Sequence, residues 1–207
     1  VADLVQGQLE VLGQLLLHLG GLAGVEISGL DLVRGILAGA VTLTKNTTGI
    51  VTITSANTYT GATTINAGVL NIQNSNATGT TAGNISIADG AVLELQGGIT
   101  VGGAGTEDIT VTGTGISSGG AIRNISGDNT LNGDITITTS TRWNSDSGTL
   151  TITDNILGVG TALTIGGSGN TAITTDLISL YKALGGGWET ARAAEQGGVK
   201  LGAALTP

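Results

Sequence analysis

The sequence predicts a mainly β chain wound as a β-solenoid, on three observations. First, residues 41–175 break into short alternating segments (VTLT, IVTIT, TTIN, VLNI, NISIA, AVLEL, DITVT, AIRNI, DITIT, TLTIT and ALTI) punctuated by Gly, Asn, Asp or Ser. Period-two alternation of β-branched residues between turn residues reads as strands. Strands this short and numerous suit coils that each contribute two or three and then turn. Second, the chain has 37 Gly among 207 residues, two Trp, two Tyr, and no Phe, Met or Cys. Its interior must be built from Ile, Val, Leu and Ala, a narrow core rather than a wide aromatic one. Third, Thr100–Val111 (TVGGAGTEDITV) and Thr164–Thr175 (TIGGSGNTAITT) share T-[VI]-G-G-x-G followed by I-T. Their offset of 64 residues fits three coils of roughly 21 residues. About six coils at about 4.8 Å each make a stalk ~30 Å long.

The two ends differ in texture from this middle. Residues 1–40 are Leu-rich, and Leu4, Val5, Leu9, Leu12, Leu15, Leu16 and Leu19 follow helical spacing, with Asp3 placed to cap and Gly20-Gly21 to stop. Asp31 to Leu37 repeats the pattern on a smaller scale. Gly7 and Gly13 each weaken a helix by roughly 1 kcal/mol, so a β reading stays open beside the helical one. Residues 176–207 return to helical spacing: Asp176 can cap, and Leu177, Leu180, Tyr181 and Leu184 form one apolar face before Gly185 to Gly187. Trp188 to Gln196 can form a further short helix, stopped by Gly197-Gly198. The domain expectation is therefore a helical cap at 1–40, solenoid repeats at 41–175, and a helical cap or tail at 176–207. Caps answer a physical need, because the last coil of a solenoid exposes unpaired N–H and C=O groups that invite end-to-end self-association.

Composition narrows the function classes. The net charge is −8 with only 7 Lys and Arg, too few to track a phosphate backbone, so no nucleic-acid partner is expected. Mean hydropathy is +0.33 and 11% of residues are charged, which argues against disorder. The absence of Cys removes disulfides, thiolate metal sites and thiol nucleophiles. No uninterrupted apolar run approaches about 18 residues, so no transmembrane helix is expected. Val1 in place of Met suggests a processed or excised chain.

The stretch LTKNTTGIVTITSANTYTGATTINAGVLNI, Leu43–Ile72, closely resembles the autotransporter-associated β-strand repeat. Asn57-Thr58-Tyr59-Thr60-Gly61, Thr64, Ile65, Gly68 and Leu70 carry the match, and Thr47-Thr48-Gly49 departs from the Gly-x-Gly the family prefers. Gly119–Ile152 also resembles sequence found between copies of that repeat, with Trp143 where an aliphatic residue is expected. The resemblance implies a right-handed parallel β-helix, exported as a passenger and displayed outside the cell or on the bacterial outer-membrane surface. It implies a scaffold rather than an enzyme, with no cofactor, and leaves room for a surface or glycan ligand. A second, shorter resemblance is to the end of outer-membrane efflux channel proteins, over LISLYKALGGGWE, Leu177–Glu189. Two unrelated signatures in one chain fit a natural mosaic or an engineered or generated sequence.

Chemistry-bearing residues are sparse. His18 is the single histidine, and nothing orders a Ser-His-Asp arrangement around it. Gly102-Gly103-Ala104-Gly105-Thr106-Glu107, followed by Asp108, approaches the calcium-binding nonapeptide, but the second copy at Gly166 lacks an acid, so a plain turn is expected. Asp128, Asp134, Asp146 and Asp154, with Arg123, Arg142 and Trp143 near them, would be the carboxylates and sugar-binding partners of a carbohydrate-active β-helix. No spacing fixes the paired separation that glycoside chemistry needs, and solvated turn acids are the simpler reading. Thr-x-Thr pairs recur at Thr42/Thr44, Thr52/Thr54, Thr110/Thr112, Thr136/Thr138 and Thr151/Thr153. Stacked on one face they would form a hydroxyl array able to meet ice or a glycan; the simpler cause is the β propensity of Thr. No catalytic, cofactor or metal residue is assigned. Sequons at Asn46, Asn76, Asn84 and Asn124 follow from the Asn, Thr and Ser content.

Overall fold

The chain, seen in a computed structural model, is a stack of parallel strands wound into coils. The structure describes residues 35–174 other than 81, 103–106 and 159, and before these the backbone of Ala2–Asp3, Leu16–His18, Gly24–Ile27 and Asp31–Val33. Each coil crosses three faces. The first face is an eight-stranded sheet of Ala2–Asp3, Gly24–Ile27, Thr42–Lys45, Thr63–Ile65, Ile85–Ile87, Ile109–Val111, Ile135–Ile137 and Ile156–Leu157. The second is a seven-stranded sheet of Asp31–Val33, Ile50–Ile53, Gly68–Ile72, Ala91–Gln96, Ile122–Ser126, Thr141–Ser145 and Leu163–Gly166.

The third face is split. Leu16–His18, Ile36–Gly39 and Thr58–Tyr59 make one sheet, and Thr100–Val101, Asn129–Leu131, Thr149–Ile152 and Asn170–Ile173 make another. In the coil between them the third face is a turn at residues 75–78, closed by Ala77 N–H to Asn74 O at 3.0 Å and Gly79 N–H to Asn76 O at 3.1 Å. From Thr42 onward the first face counts six coils, the number the sequence suggested.

Alternation sets the core. Leu43, Thr63, Ile85, Ile109, Ile135 and Ile156 stack in register inside the first face, so successive coils take 20, 22, 24, 26 and 21 residues. Val51, Leu70, Leu93, Ile122, Trp143 and Ile165 stack inside the second. A narrow lumen with two or three inward residues per strand is filled by aliphatics, each contributing about 1.5–3 kcal/mol on full burial. Trp143 occupies an aliphatic column and is completely buried. The longest coil carries the excursion between Val111 and Ile122, with a 3-10 turn at Ile116–Ser118. That turn is the single helical element among the described residues.

Two expectations are corrected. The described parts of residues 1–40 are not helix: Leu16–His18, Asp31–Val33 and Ile36–Gly39 are strands in the same stack, and Gly24–Ile27 pairs with Thr42–Lys45 across the expected boundary at 41. Frequent Gly had already weakened the helical option, and stacking on the next coil supplies the hydrogen bonds that settle it. The remaining Leu positions of that region and the helices expected over 176–207, with the efflux-channel resemblance, lie outside the described residues. The 64-residue similarity does not mark equivalent places either. Thr100 begins a third-face strand whose register runs Thr100, Thr130, Thr151, Ala172, whereas Thr164 lies on the second face. Unequal coil lengths break a fixed period.

Candidate functional site: polar ladders on and inside the solenoid

The stretch around NTYTG builds one coil. Asn57, buried at the entry to the third face, accepts the Leu37 N–H of the coil below at 2.9 Å and donates to Ala77 O of the coil above at 2.6 Å. Tyr59 points inward, fully buried, with its hydroxyl 2.6 Å from Thr63 Oγ1. Gly61 passes so close to the coil below that a Cβ would lie 2.3 Å from Val41 O. Gly68 opens the second-face strand at φ +69°, where a Cβ would lie 2.4 Å from both Thr47 O and Gly49 O. Lys45 has the same inward parity as Leu43 and is buried, yet its amine folds back to the corner, donating to Thr47 O, to Thr47 Oγ1 at 3.2 Å and to Ala67 O at 3.2 Å. A buried ammonium is tolerable only when its donors are used in this way.

Outside the second face runs a charged and amide ladder. Asn71 Nδ2 donates to Glu94 Oε2 at 3.2 Å; Arg123 bridges Glu94 Oε1 at 3.1 Å and Asp146 Oδ2 at 2.5 Å; Asn144 Nδ2 donates to Asp146 Oδ1 at 2.5 Å. Gln73 extends it sideways to Asn71 Oδ1 and Gln96 Oε1, and Arg142 donates to Asn144 Oδ1 at 3.3 Å. The side chains thus tie each coil to the next.

The first face differs. Its outward column is Thr44, Thr64, Ser86, Thr110 and Thr136 in strict register. None of these five hydroxyls has a side-chain hydrogen bond among the described residues. The columns beside it are cross-linked: Asn66 Nδ2 to Asn46 Oδ1 at 2.7 Å, Thr112 to Thr138 at 2.7 Å, and Asp108 and Asp134, whose Oδ1 atoms each accept the N–H of the residue one coil on at 3.1 Å.

A further polar group lies inside. Glu107 is 2% exposed; Thr78 Oγ1 donates to its Oε2 at 3.0 Å, while Oε1 is buried with no hydrogen-bond partner among the described residues. Burial pushes its carboxyl up to about 8, against a smaller opposing effect of the Thr78 bond. Burial likewise raises the Tyr59 hydroxyl, opposed by its bond to Thr63, and the Glu107 charge adds to the rise.

The residues singled out in the sequence fall as follows. His18 lies on a strand paired with Ala38, and its side chain is outside the described residues. Of the calcium-like turn, Gly102, Glu107 and Asp108 are described, but Glu107 points inward and Asp108 outward, so the two acids do not converge. Among the described residues no three His, Cys, Asp or Glu gather as a metal site. Asp128 accepts Thr149 N–H at 2.9 Å, Asp134 bonds Asn155, and Asp146 bonds Arg123. Trp143 is interior and presents no face to a sugar, and Asn124 is buried rather than a surface sequon. The Thr pairs are shared among three faces instead of forming one array. Sequence reasoning put Glu107 in a plain turn rather than in the interior and did not single out Lys45, although parity carried the signal: Glu107 is two residues before inward Ile109, and Lys45 two after inward Leu43.

The described coils stack as a three-faced parallel β-solenoid, and within it residues 43–72, the coil that carries the Asn-Thr-Tyr-Thr-Gly corner, match the family described as the passenger-associated-transport-repeat. Over 100 residues the chain is 37% identical to the adhesin BmaC autotransporter of Brucella suis biovar 1 (strain 1330), a match covering 42% of this chain and 3% of that protein. No solved structure matches it. Among the described residues no helix is long and apolar enough to cross a membrane.

Proposed function

We propose that the chain is a non-enzymatic segment of a surface-displayed or secreted bacterial passenger, serving as a scaffold that contributes to adhesion. The observation that carries this is the use of its outer acids. Glu94, Asp108, Asp128, Asp134 and Asp146 each accept a hydrogen bond from the neighbouring coil. Carboxylates employed in this way tie coil to coil, which supports a scaffold over the facing acid and base of a glycosidase. The name of the adhesin relative and the matched repeat support the same reading.

A second element of the reading is a binding face. The hydroxyl column Thr44–Thr64–Ser86–Thr110–Thr136 favours it, because those groups are left for an external partner such as a glycan. The test exposes the purified chain to immobilised neutral and acidic glycans and assays the same glycans for released reducing ends. Retention without release supports the adhesive scaffold. Release of reducing ends overturns the non-enzymatic reading, and neither retention nor release leaves a scaffold without a binding face.

A further inference from the structure

The third face is interrupted where an ionisable group is buried. Thr58–Tyr59 pairs with the strand below it and Thr100–Val101 with the strand above, so the coil between them contributes no strand there. Below, the turn 75–78 and its flank are held by backbone bonds, Asn57 N–H to Asn76 O and Thr80 N–H to Tyr59 O, both 2.9 Å, and by the Asn57 amide. Above, among the described residues, two bonds tie it to the next coil: Thr100 N–H to Ser75 Oγ and Thr78 Oγ1 to Glu107 Oε2, both 3.0 Å. One of the two ties therefore ends on a carboxyl that is 2% exposed and whose other oxygen has no partner among the described residues.

We propose that Glu107 makes this interruption a pH-operated seam: uncharged, it holds the turn 75–78 to the coil above, and ionised, it leaves the interior and lets the seam open locally. A carboxylate with one hydroxyl donor and one empty oxygen lacks the compensation that a buried charge requires. Charged neighbours do not supply it. Tyr59 is the titratable side chain acting beside it, and burial keeps that phenol neutral. Asp108 points outward onto Asp134 N–H. Residues 75–78 (Ser-Asn-Ala-Thr), 103–106 (Gly-Ala-Gly-Thr) and 132–133 (Asn-Gly) carry no ionisable side chain.

The sign follows from linkage. The closed carboxyl titrates at about 8 against an ordinary value of 4.5. The closed state therefore holds its proton over a range where the open state has lost it. Closure is fully favoured below the ordinary value and weakens as pH rises, the open population growing about tenfold per pH unit. Growth stops once the closed form ionises as well. From pH 6 to pH 9 the rise is on the order of a hundredfold.

Hydrogen exchange of the intact chain at pH 6, 7, 8 and 9, corrected for intrinsic rates, tests this in wild type and Glu107→Gln. Amides of 75–80 and 99–101 are expected to open about a hundredfold more at pH 9 than at pH 6, levelling above pH 8, while those of 69–72 and 92–95 on the second face stay protected. Glu107→Gln is expected to show no such rise. A pH-independent seam, an equal rise in Glu107→Gln, or a rise shared by all strands overturns the proposal. Should the Gln variant not fold, the carboxyl carbon of Glu107 is followed by NMR in wild type: a midpoint near 8 supports the seam, and one in the ordinary glutamate range overturns it.

Discussion

The hydroxyl of Tyr59 and Oγ1 of Thr63 lie 2.6 Å apart inside the corner where one coil passes from the third face to the first. Both residues are buried, and Thr63 Oγ1 also reaches Thr78 O of the next coil at 3.4 Å. The aromatic ring fills the lumen while its polar tip is satisfied within the corner, so the pair settles shape and hydrogen bonding together.

Tyr59→Phe is expected to cost about 1–2 kcal/mol, because the Thr63 hydroxyl loses its best partner. Thr63→Val should cost a similar amount. The double variant should cost clearly less than the two singles combined, since it removes both polar groups at once. Urea unfolding of the four proteins checks this, and strict additivity would show that the pair is not coupled.

Glycine roles separate by geometry. Gly68 and Gly90 both have positive φ, +69° and +75°, but a Cβ on Gly68 would strike carbonyl oxygens of the coil below while one on Gly90 would meet nothing within 4 Å. Gly90→Ala is expected to cost about 1–2 kcal/mol, the left-handed penalty alone. Gly68→Ala carries the same penalty plus displacement of the stacked backbone, so its denaturation midpoint should fall well below that of Gly90→Ala. Equal midpoints would mean that the coils slide apart at little cost.

Much of this organisation was legible in alternation. Inward Ile, Leu and Val, outward Thr, and Gly or Asn at corners gave the strands, whereas Trp143, weighed as a sugar-binding partner, fills the lumen instead. The Asn57–Gly68 motif marked the coil that is now seen closing on itself. Alternation fixes parity, not which face a segment joins. The Thr100 and Thr164 stretches look alike because both are strand followed by Gly turn, yet they lie on different faces once coils of 20 to 26 residues accumulate. The N-terminal end misled for a related reason: Leu at helical spacing does not exclude short strands, and in the described parts of residues 1–40 backbone pairing with the next coil decides for strand. The buried acid was hidden by habit: Glu107 beside a Gly-rich turn suggested solvent, whereas its parity with Ile109 places it in the lumen.

On the second face, Arg123 links Glu94 and Asp146 with side chains 33%, 12% and 30% exposed. Partly solvated bridges of this kind contribute about 0–1 kcal/mol each. Arg123→Met, which keeps the aliphatic stem, should lower stability by no more than about 1–2 kcal/mol. The difference from wild type should shrink in high salt, where exposed charges are screened. A larger, salt-independent loss in thermal melts would mean that this ladder acts by packing.

Asn57 is the most demanding position of the repeat, because it must accept from Leu37 N–H below and donate to Ala77 O above. An aspartate retains the acceptor but, once ionised, cannot donate. Asn57→Asp therefore faces a buried carbonyl with a negative charge unless it keeps a proton, and burial should raise its pKa. The folded state then binds a proton that the unfolded state releases near pH 4. The variant's deficit relative to wild type should be small below that pH and grow as pH rises, levelling only when the folded carboxyl ionises. Asn57→Ala leaves both the N–H and the carbonyl unmet, costing roughly 2–5 kcal/mol without that pH dependence. Chemical denaturation of both variants at pH 3.5, 5 and 7 separates the two patterns. An Asp variant as stable as wild type at pH 7 would mean that the corner reorganises around the charge, and that the amide is not what joins the three coils.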